Sequence, residues 1–298
     1  MNSTPYSHIH EKFRHIAHLP DDERIKFIHS PRWIGYKTAN TILSLMHDLM
    51  NRPKQHRMPN LLLIGDSNNG KTTIIKKFNE KFGDTYVDDN DRINVPVRLI
   101  QAPPSANEKE LYISLIDSLG LPFRSSDSGG ILRHQVVHSF REANVRILII
   151  DEAHSMLTGT ARQQRTMMNA IKYLCNQIDL PIVLCGTKDA VRILHTDSQH
   201  SSRFDVAELP VWRNNNEFRR LLGSFEKILP LKEPSNLIDI EKTNLIHSIS
   251  DGNLGNVKRL LNECAIEAIK TGEETITLDI IRGKSCLRPT KGLRKIIG

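Results

Sequence analysis

The chain has 298 residues, 39% of them hydrophobic and 25% charged, enough for one or two buried cores. It shows no apolar run of membrane-spanning length and no apolar signal core between Met1 and Pro20, and its four cysteines are scattered without a C-x-x-C pair. These features point away from a membrane span, secretion, zinc and disulfides, and toward a reducing cytoplasm, while a net charge of +7 with 13 histidines besides suits a polyanionic partner.

Residues 1–57 read as a helical N-terminal extension. Asp21 and Asp22 are placed to cap a short helix, and Ile42, Leu43, Leu45, Met46 and Leu49 recur at helical spacing. Arg52-Pro53-Lys54-Gln55-His56-Arg57 is a basic connector. Over residues 58–209 strands and helices alternate, which predicts an α/β core with a parallel sheet. Apolar runs place strands near 61–64, 95–101, 146–150 and 182–186. Between them, helical stripes run through Leu111, Leu115, Ile116 and Leu119 to Gly120, through Val136, Val137 and Phe140, and through Met167, Met168, Ile171, Leu174 and Cys175. Over residues 210–283 the strand signal stops. Phe218, Leu221, Leu222 and Phe225, then Leu237, Leu245, Ile246 and Ile249, then Leu254, Val257, Leu260, Leu261 and Ala265 predict a small all-helical domain. Residues 284–298 read as a flexible basic tail, with Lys284, Arg288, Lys291, Arg294 and Lys295 and no acid.

The most specific signal is Gly65-Asp66-Ser67-Asn68-Asn69-Gly70-Lys71-Thr72, a phosphate-binding loop of the form G-x-x-x-x-G-K-[ST]. An apolar strand precedes it and Thr73-Ile74-Ile75 opens a helix behind it. The glycines let successive backbone N–H groups turn toward phosphate oxygens, and the helix N-terminus adds its positive dipole end. Residues Gly65 to Thr73 would therefore hold ATP, with Lys71 on the β/γ-phosphates and the Thr72 hydroxyl on Mg²⁺. Hydrolysis needs carboxylates as well. The run Ile147-Leu148-Ile149-Ile150 delivers Asp151 and Glu152 at the carboxyl end of a strand, where ligands of open α/β sheets sit. Asp151 would hold Mg²⁺ and Glu152 would act as general base on the attacking water. Pro181-Ile182-Val183-Leu184-Cys185-Gly186-Thr187 reads as a further strand ending in a polar residue; resemblance to phosphate-loop hydrolases implies that it lies between the two motif strands and that Thr187 touches the γ-phosphate or the water.

This order of parts, an ASCE-type sheet followed by a helical lid, resembles AAA+ P-loop ATPases. The resemblance implies that Arg203, in Ser201-Ser202-Arg203-Phe204, is an arginine finger inserted into a neighbouring subunit's site. It also implies a second sensor in Gly252-Asn253-Leu254-Gly255-Asn256-Val257-Lys258-Arg259, where Lys258 stands at the position the family fills with arginine and Arg259 follows, a departure that leaves open which side chain, if either, reads the nucleotide. Asp151-Glu152-Ala153-His154 spells the helicase DEAH box too, but such helicases need two tandem domains. The chain has room for one α/β core, so His154 reads as incidental.

Longer strings resemble the TniB/TnsC group, ATPase regulators of bacterial DNA transposition. They are Arg57-Met58-Pro59-Asn60 running into the phosphate loop, Asp151-Glu152-Ala153-His154-Ser155-Met156-Leu157-Thr158-Gly159-Thr160, Gly186-Thr187-Lys188-Asp189-Ala190, Leu209-Pro210-Val211-Trp212 and Leu229-Pro230-Leu231. The resemblance covers roughly residues 30–265. It implies a DNA-associated bacterial cytoplasmic protein whose ATP-bound subunits assemble head-to-tail on duplex DNA, recruit a transposase, often with a TniQ-like adaptor, and disassemble on hydrolysis. Lys109, after the second strand, and Arg162 and Arg165, after the acidic motif, read as loop residues able to line the inner face of such an oligomer. The basic tail suits either DNA or the transposase. A helicase loader, a nucleotide-gated scaffold indifferent to DNA and a non-hydrolysing binding module share these nucleotide motifs and stand as rivals.

Overall fold

The structure is a computed structural model that describes residues 5–55, 57–194 and 203–287. Its contacts divide the chain into two units, one spanning Lys37–Leu209 and the other formed by the chain up to Tyr36 together with the chain from Pro210 onward. The expected extension over residues 1–57 is thus split. Helix α1 (Asp21–His29) belongs with the C-terminal helices, and α2 (Lys37–Asn51) with the α/β unit. Each follows its apolar face. Ile28 of α1 is buried in the helical core, whereas Ile42, Met46 and Leu49 of α2 are buried where that helix packs on α3 (Lys71–Phe82), with the His47 and Phe82 rings 4.5 Å apart. Asp21 and Asp22 do not cap α1; with Glu23 they occupy its first turn, where their charge favours the helix dipole.

In the α/β unit, β1 (Asn60–Gly65) leads into the phosphate loop and α3. A short antiparallel hairpin, β2 (Tyr86–Val87) and β3 (Ile93–Asn94), precedes β4 (Val97–Gln101). Then come α4 (Glu108–Ser118), α5 (Gly129–Glu142), β5 (Ile147–Asp151), α6 (Ala161–Ile178), β6 (Ile182–Gly186), the single turn α7 (Val191–Leu194) and β7 (Phe204–Leu209). The sheet is parallel with strand order β4-β5-β6-β1-β7. Every residue of β1, β5 and β6 is buried, as expected of strands covered on both faces, and this is why they read as unbroken apolar runs. The hairpin and β7 carry no such run. On β7 only Phe204 and Leu209 are buried, because it is an edge strand.

In the helical unit, α8 (Asn216–Glu226), α9 (Ile240–Ser250), α10 (Leu254–Thr271) and α11 (Leu278–Gly283) start on side-chain caps from Asn215, Asp239, Asn253 and Thr277. Phe218, Leu222, Ile246, Val257 and Leu261 meet in its core. Leu237 joins that core from the loop before α9 rather than from a helix; the Glu226 carboxylate shapes this loop by accepting from the backbone N–H groups of Ser235, Asn236 and Leu237. Lys284, expected in the flexible tail, pairs with Glu267 of α10 at 2.5 Å. The tail residues Arg288, Lys291, Arg294 and Lys295 lie outside the described residues. No helix among the described residues is long and apolar enough to cross a membrane.

Candidate nucleotide site

Strand β1 delivers Gly65 against the end of β7, so closely that a Cβ there would fall 2.7 Å from the Leu209 carbonyl oxygen. The loop then turns through Asn68 at φ 61° and Gly70 at φ 95°. Glycine adopts the left-handed region without steric cost, and α3 begins immediately behind it at Lys71. The Asn69 side chain is buried and donates from Nδ2 to the Leu209 carbonyl oxygen at 2.9 Å, tying the loop to β7. Asp66, Ser67 and Asn68 form the accessible rim, and Thr73, directly after Lys71 and Thr72 in α3, is exposed.

Lys71 is 7% exposed and donates from Nζ to the carbonyl oxygens of Gly65 (2.9 Å) and Asp66 (2.8 Å). Burial lowers its pKa; the negative charges of Glu152, Asp151 and Asp66 oppose that shift. The ammonium thus lies inside the curl of the loop, on weak neutral acceptors that phosphate oxygens would outcompete. Strand β6 separates β1 from β5, yet the Thr72 hydroxyl reaches across to donate to Asp151 Oδ2 at 2.7 Å. Asp151 Oδ1 in turn accepts from the Glu152 N–H at 2.9 Å. A hydroxyl and a carboxylate in contact beside a buried lysine form the oxygen donor set that suits Mg²⁺ on a triphosphate, so these residues fit ATP and its cation.

Glu152 has φ 55°, a left-handed backbone that costs a non-glycine residue about 1–3 kcal/mol and concentrates at functional sites. His154, which sequence reading sets aside, has Nδ1 3.3 Å from Glu152 Oε2, close but without hydrogen-bond alignment. Gly186, at the end of β6, packs closely on this segment, since a Cβ there would meet the His154 backbone nitrogen at 3.2 Å and Ala190 Cβ at 2.8 Å. Thr187 follows β6 directly, between the ends of β5 and β1, where it opens a short 3₁₀ turn, Lys188–Ala190. Sequence reasoning missed Lys188, whose Nζ lies 3.6 Å from Asp66 Oδ1 and 3.4 Å from Glu208 Oε1. Its one signal was its place directly after Thr187.

The remaining candidates stand elsewhere. Arg203 precedes β7; its carbonyl accepts from the Asn60 N–H at 2.9 Å, at the start of β1. Five residues of strand, roughly 17 Å, separate that end of the sheet from Gly65. Ser201 and Ser202 lie outside the described residues. Lys258 sits on α10 in the helical unit, where it lines a cleft of about 230 Å³ with His29, Arg259 and Asn262. Lys109, Arg162 and Arg165 are not in loops, as the sequence suggested. Lys109 and Arg162 occupy the first turns of α4 and α6 and Arg165 opens the second turn of α6, because Asn107 and Thr160 cap those helices earlier than apolar periodicity alone indicates. Both helices leave the carboxyl edge of neighbouring strands, β4 and β5, and Ser155 Oγ donating to the Pro103 carbonyl at 2.7 Å links the segments before them. Arg162 and Arg165 are exposed and Lys109 is half-buried.

A parallel sheet with one strand between phosphate loop and acidic pair, in a chain that continues into helices, is the architecture of the AAA+ ATPases. Solved structures of that class share the fold. The Aeropyrum pernix ORC2 protein, solved as ADPNP-ADP complexes, matches at TM-score 0.65 with 15% identity over 88% of this chain and 72% of its own. The Aeropyrum pernix ORC1 protein in complex with DNA matches at 0.57, with 12% identity over 87% and 68%. Domain III of the Thermotoga maritima replication initiation protein DnaA matches at 0.51, with 17% identity over 84% and 91%. Within the class, this chain belongs to the TniB family: the family model for the bacterial TniB protein matches residues 24–214. No curated protein matches the chain.

Proposed function

We propose that this chain is an ATP-dependent regulator of DNA transposition that assembles head-to-tail on duplex DNA with ATP bound, recruits a transposase and a TniQ-like adaptor, and leaves the DNA after hydrolysis. The contact between Thr72 and Asp151, with Glu152 next in the chain on a strained backbone, carries the hydrolytic part of the reading. Membership of the TniB family carries the biological part.

Bound Mg²⁺-ATP supplies the phosphoryl group and the positive charge that neutralises it in the transition state. Thr72 and Asp151 hold the cation, and the loop from Gly65 to Thr73 cradles the phosphates. Lys71 exchanges two loop carbonyls for phosphate oxygens. Glu152 takes the proton of the attacking water, and Thr187 orients that water. In the second-sensor motif, Lys258 or the adjacent Arg259 reads the nucleotide state. Arg203 lies too far from its own loop to serve it, which favours a role in a neighbouring subunit. Phosphate contacts from Lys109, Arg162 and Arg165 would give salt-sensitive affinity without sequence preference. That agrees with a net charge of +7 and with the related ORC1 protein having been solved in complex with DNA.

Sedimentation of the purified chain with duplex DNA tests this, with ATPγS, ADP or no nucleotide. Large duplex-bound assemblies with ATPγS alone are expected. Equal sedimentation in all three states would overturn the proposal. A preference for single strands would favour a helicase loader, and nucleotide-dependent assembly that ignores DNA would favour a signalling scaffold.

A further inference from the structure

Arg203 is held at two points. Its carbonyl accepts from the Asn60 N–H at 2.9 Å, and its Nη1 donates to Asn176 Oδ1, in the last turn of α6, at 2.6 Å. Asn60 Oδ1 accepts from the Ile182 N–H at 2.8 Å and from Cys175 Sγ at 3.2 Å, which joins β1, β6 and α6 into one buried polar cluster. Arg203 Nε, in contrast, is buried with no hydrogen-bond partner. Buried donors are nearly always satisfied, and an exception calls for a reason beyond packing.

We propose that Asn176 is a positioning residue for Arg203: it fixes the direction in which the guanidinium leaves its own subunit, so that it enters a neighbour's nucleotide site already oriented. This rests on the reading of Arg203 as a finger acting between subunits. An arginine samples many rotamers, and each must be frozen when the finger engages. An acceptor on α6 limits that search before engagement, since α6 itself is fixed by Met167, Met168, Ile171 and Leu174 in the core. Misplacement of a catalytic group by about 1 Å can cost about a hundredfold in rate, so the orientation is worth holding.

Mixed oligomers separate the two subunits' contributions. One subunit carries Arg203→Ala, with an intact nucleotide site and no finger. The other carries Glu152→Gln, with a finger and no base. Each alone on duplex DNA with ATP should hydrolyse poorly, and the mixture should recover activity. Adding Asn176→Ala to the Glu152→Gln subunit should reduce the recovered rate about tenfold to a hundredfold, while Asn176→Asp, which keeps an accepting oxygen, should restore it. Adding Asn176→Ala to the Arg203→Ala subunit should leave the recovered rate as it was. If finger-donating subunits with Asn176→Ala recover full activity, the positioning role is wrong and the finger stands. If Asn176→Ala is equally harmful in either subunit, Asn176 serves the fold and the proposal fails. If the first mixture recovers nothing, Arg203 is not a finger and the inference fails with it.

Discussion

Glu274→Gln removes one charge from the ion cluster that ties the N-terminal helix into the helical unit. Arg24 of α1 is fully buried; its Nη1 donates to Glu274 Oε1 at 2.8 Å, its Nη2 pairs with Oε2, and its Nε donates to the Pro230 carbonyl at 3.0 Å. Lys232 Nζ adds a contact to Glu274 Oε1 at 3.0 Å. Burial by itself would raise the Glu274 pKa, but the hydrogen bonds from Arg24 and Lys232 outweigh it and lower the value from 4.5 to about 2. At about 1.4 kcal/mol per unit this is roughly 3 kcal/mol, and solvent screening of a partly exposed carboxylate brings it to about 2 kcal/mol. Because the folded-state pKa is depressed, the contribution is whole above the unfolded value and is lost as pH falls through the folded one. Both tryptophans, Trp33 and Trp212, belong to this unit, so urea unfolding followed by tryptophan fluorescence reports on it. Glu274→Gln should lower stability at pH 7 by about 2 kcal/mol, and the gap should shrink to about half near pH 3. Equal stability at pH 7, or a gap that stays constant down to pH 3, would refute the reasoning.

Replacing Glu152 by Gln should slow hydrolysis by about 10²- to 10⁴-fold and trap ATP-bound assemblies on duplex DNA; an unchanged dissociation rate after an ATP chase would count against Glu152 as the base. Asn69→Ala leaves the Leu209 carbonyl without its buried donor, a loss of about 1–3 kcal/mol, and frees the loop from β7. A titration with fluorescent ATP analogue should show at least a severalfold weaker Kd with little change in far-ultraviolet circular dichroism, and an unaltered Kd would show that β7 does not brace the loop. Gly252→Ala places a Cβ 2.1 Å from the Trp212 carbonyl oxygen at φ 67°, so the urea midpoint of the helical unit should fall by the equivalent of about 2 kcal/mol or more. A midpoint within error of the parent would mean that the backbone there relaxes freely.

The chemistry legible in the sequence was the chemistry carried by contiguous residues. The phosphate loop from Gly65 to Thr72 and the acidic pair Asp151-Glu152 each follow a strand buried on both faces, so an unbroken apolar run announces them. Strand β7 was illegible because Asp205, Val206 and Glu208 are exposed on an edge, and the hairpin because Tyr86, Val87 and Ile93 are exposed as well. His154 and Lys188 belong to the site through proximity to Glu152 and Asp66, which no local pattern encodes. The same holds for the pairing of Arg24 with Glu274, 250 residues apart. What the sequence by itself determined was the inventory of groups and the strand that delivers each. What the tertiary structure decided was which groups meet. The order β5-β6-β1-β7 brings Thr72 to Asp151, Asn69 to Leu209 and Arg203 to the end of the sheet away from its own loop. Strand order is a non-local outcome of burying both faces of a parallel sheet between helices, and it leaves no mark on any short stretch of chain.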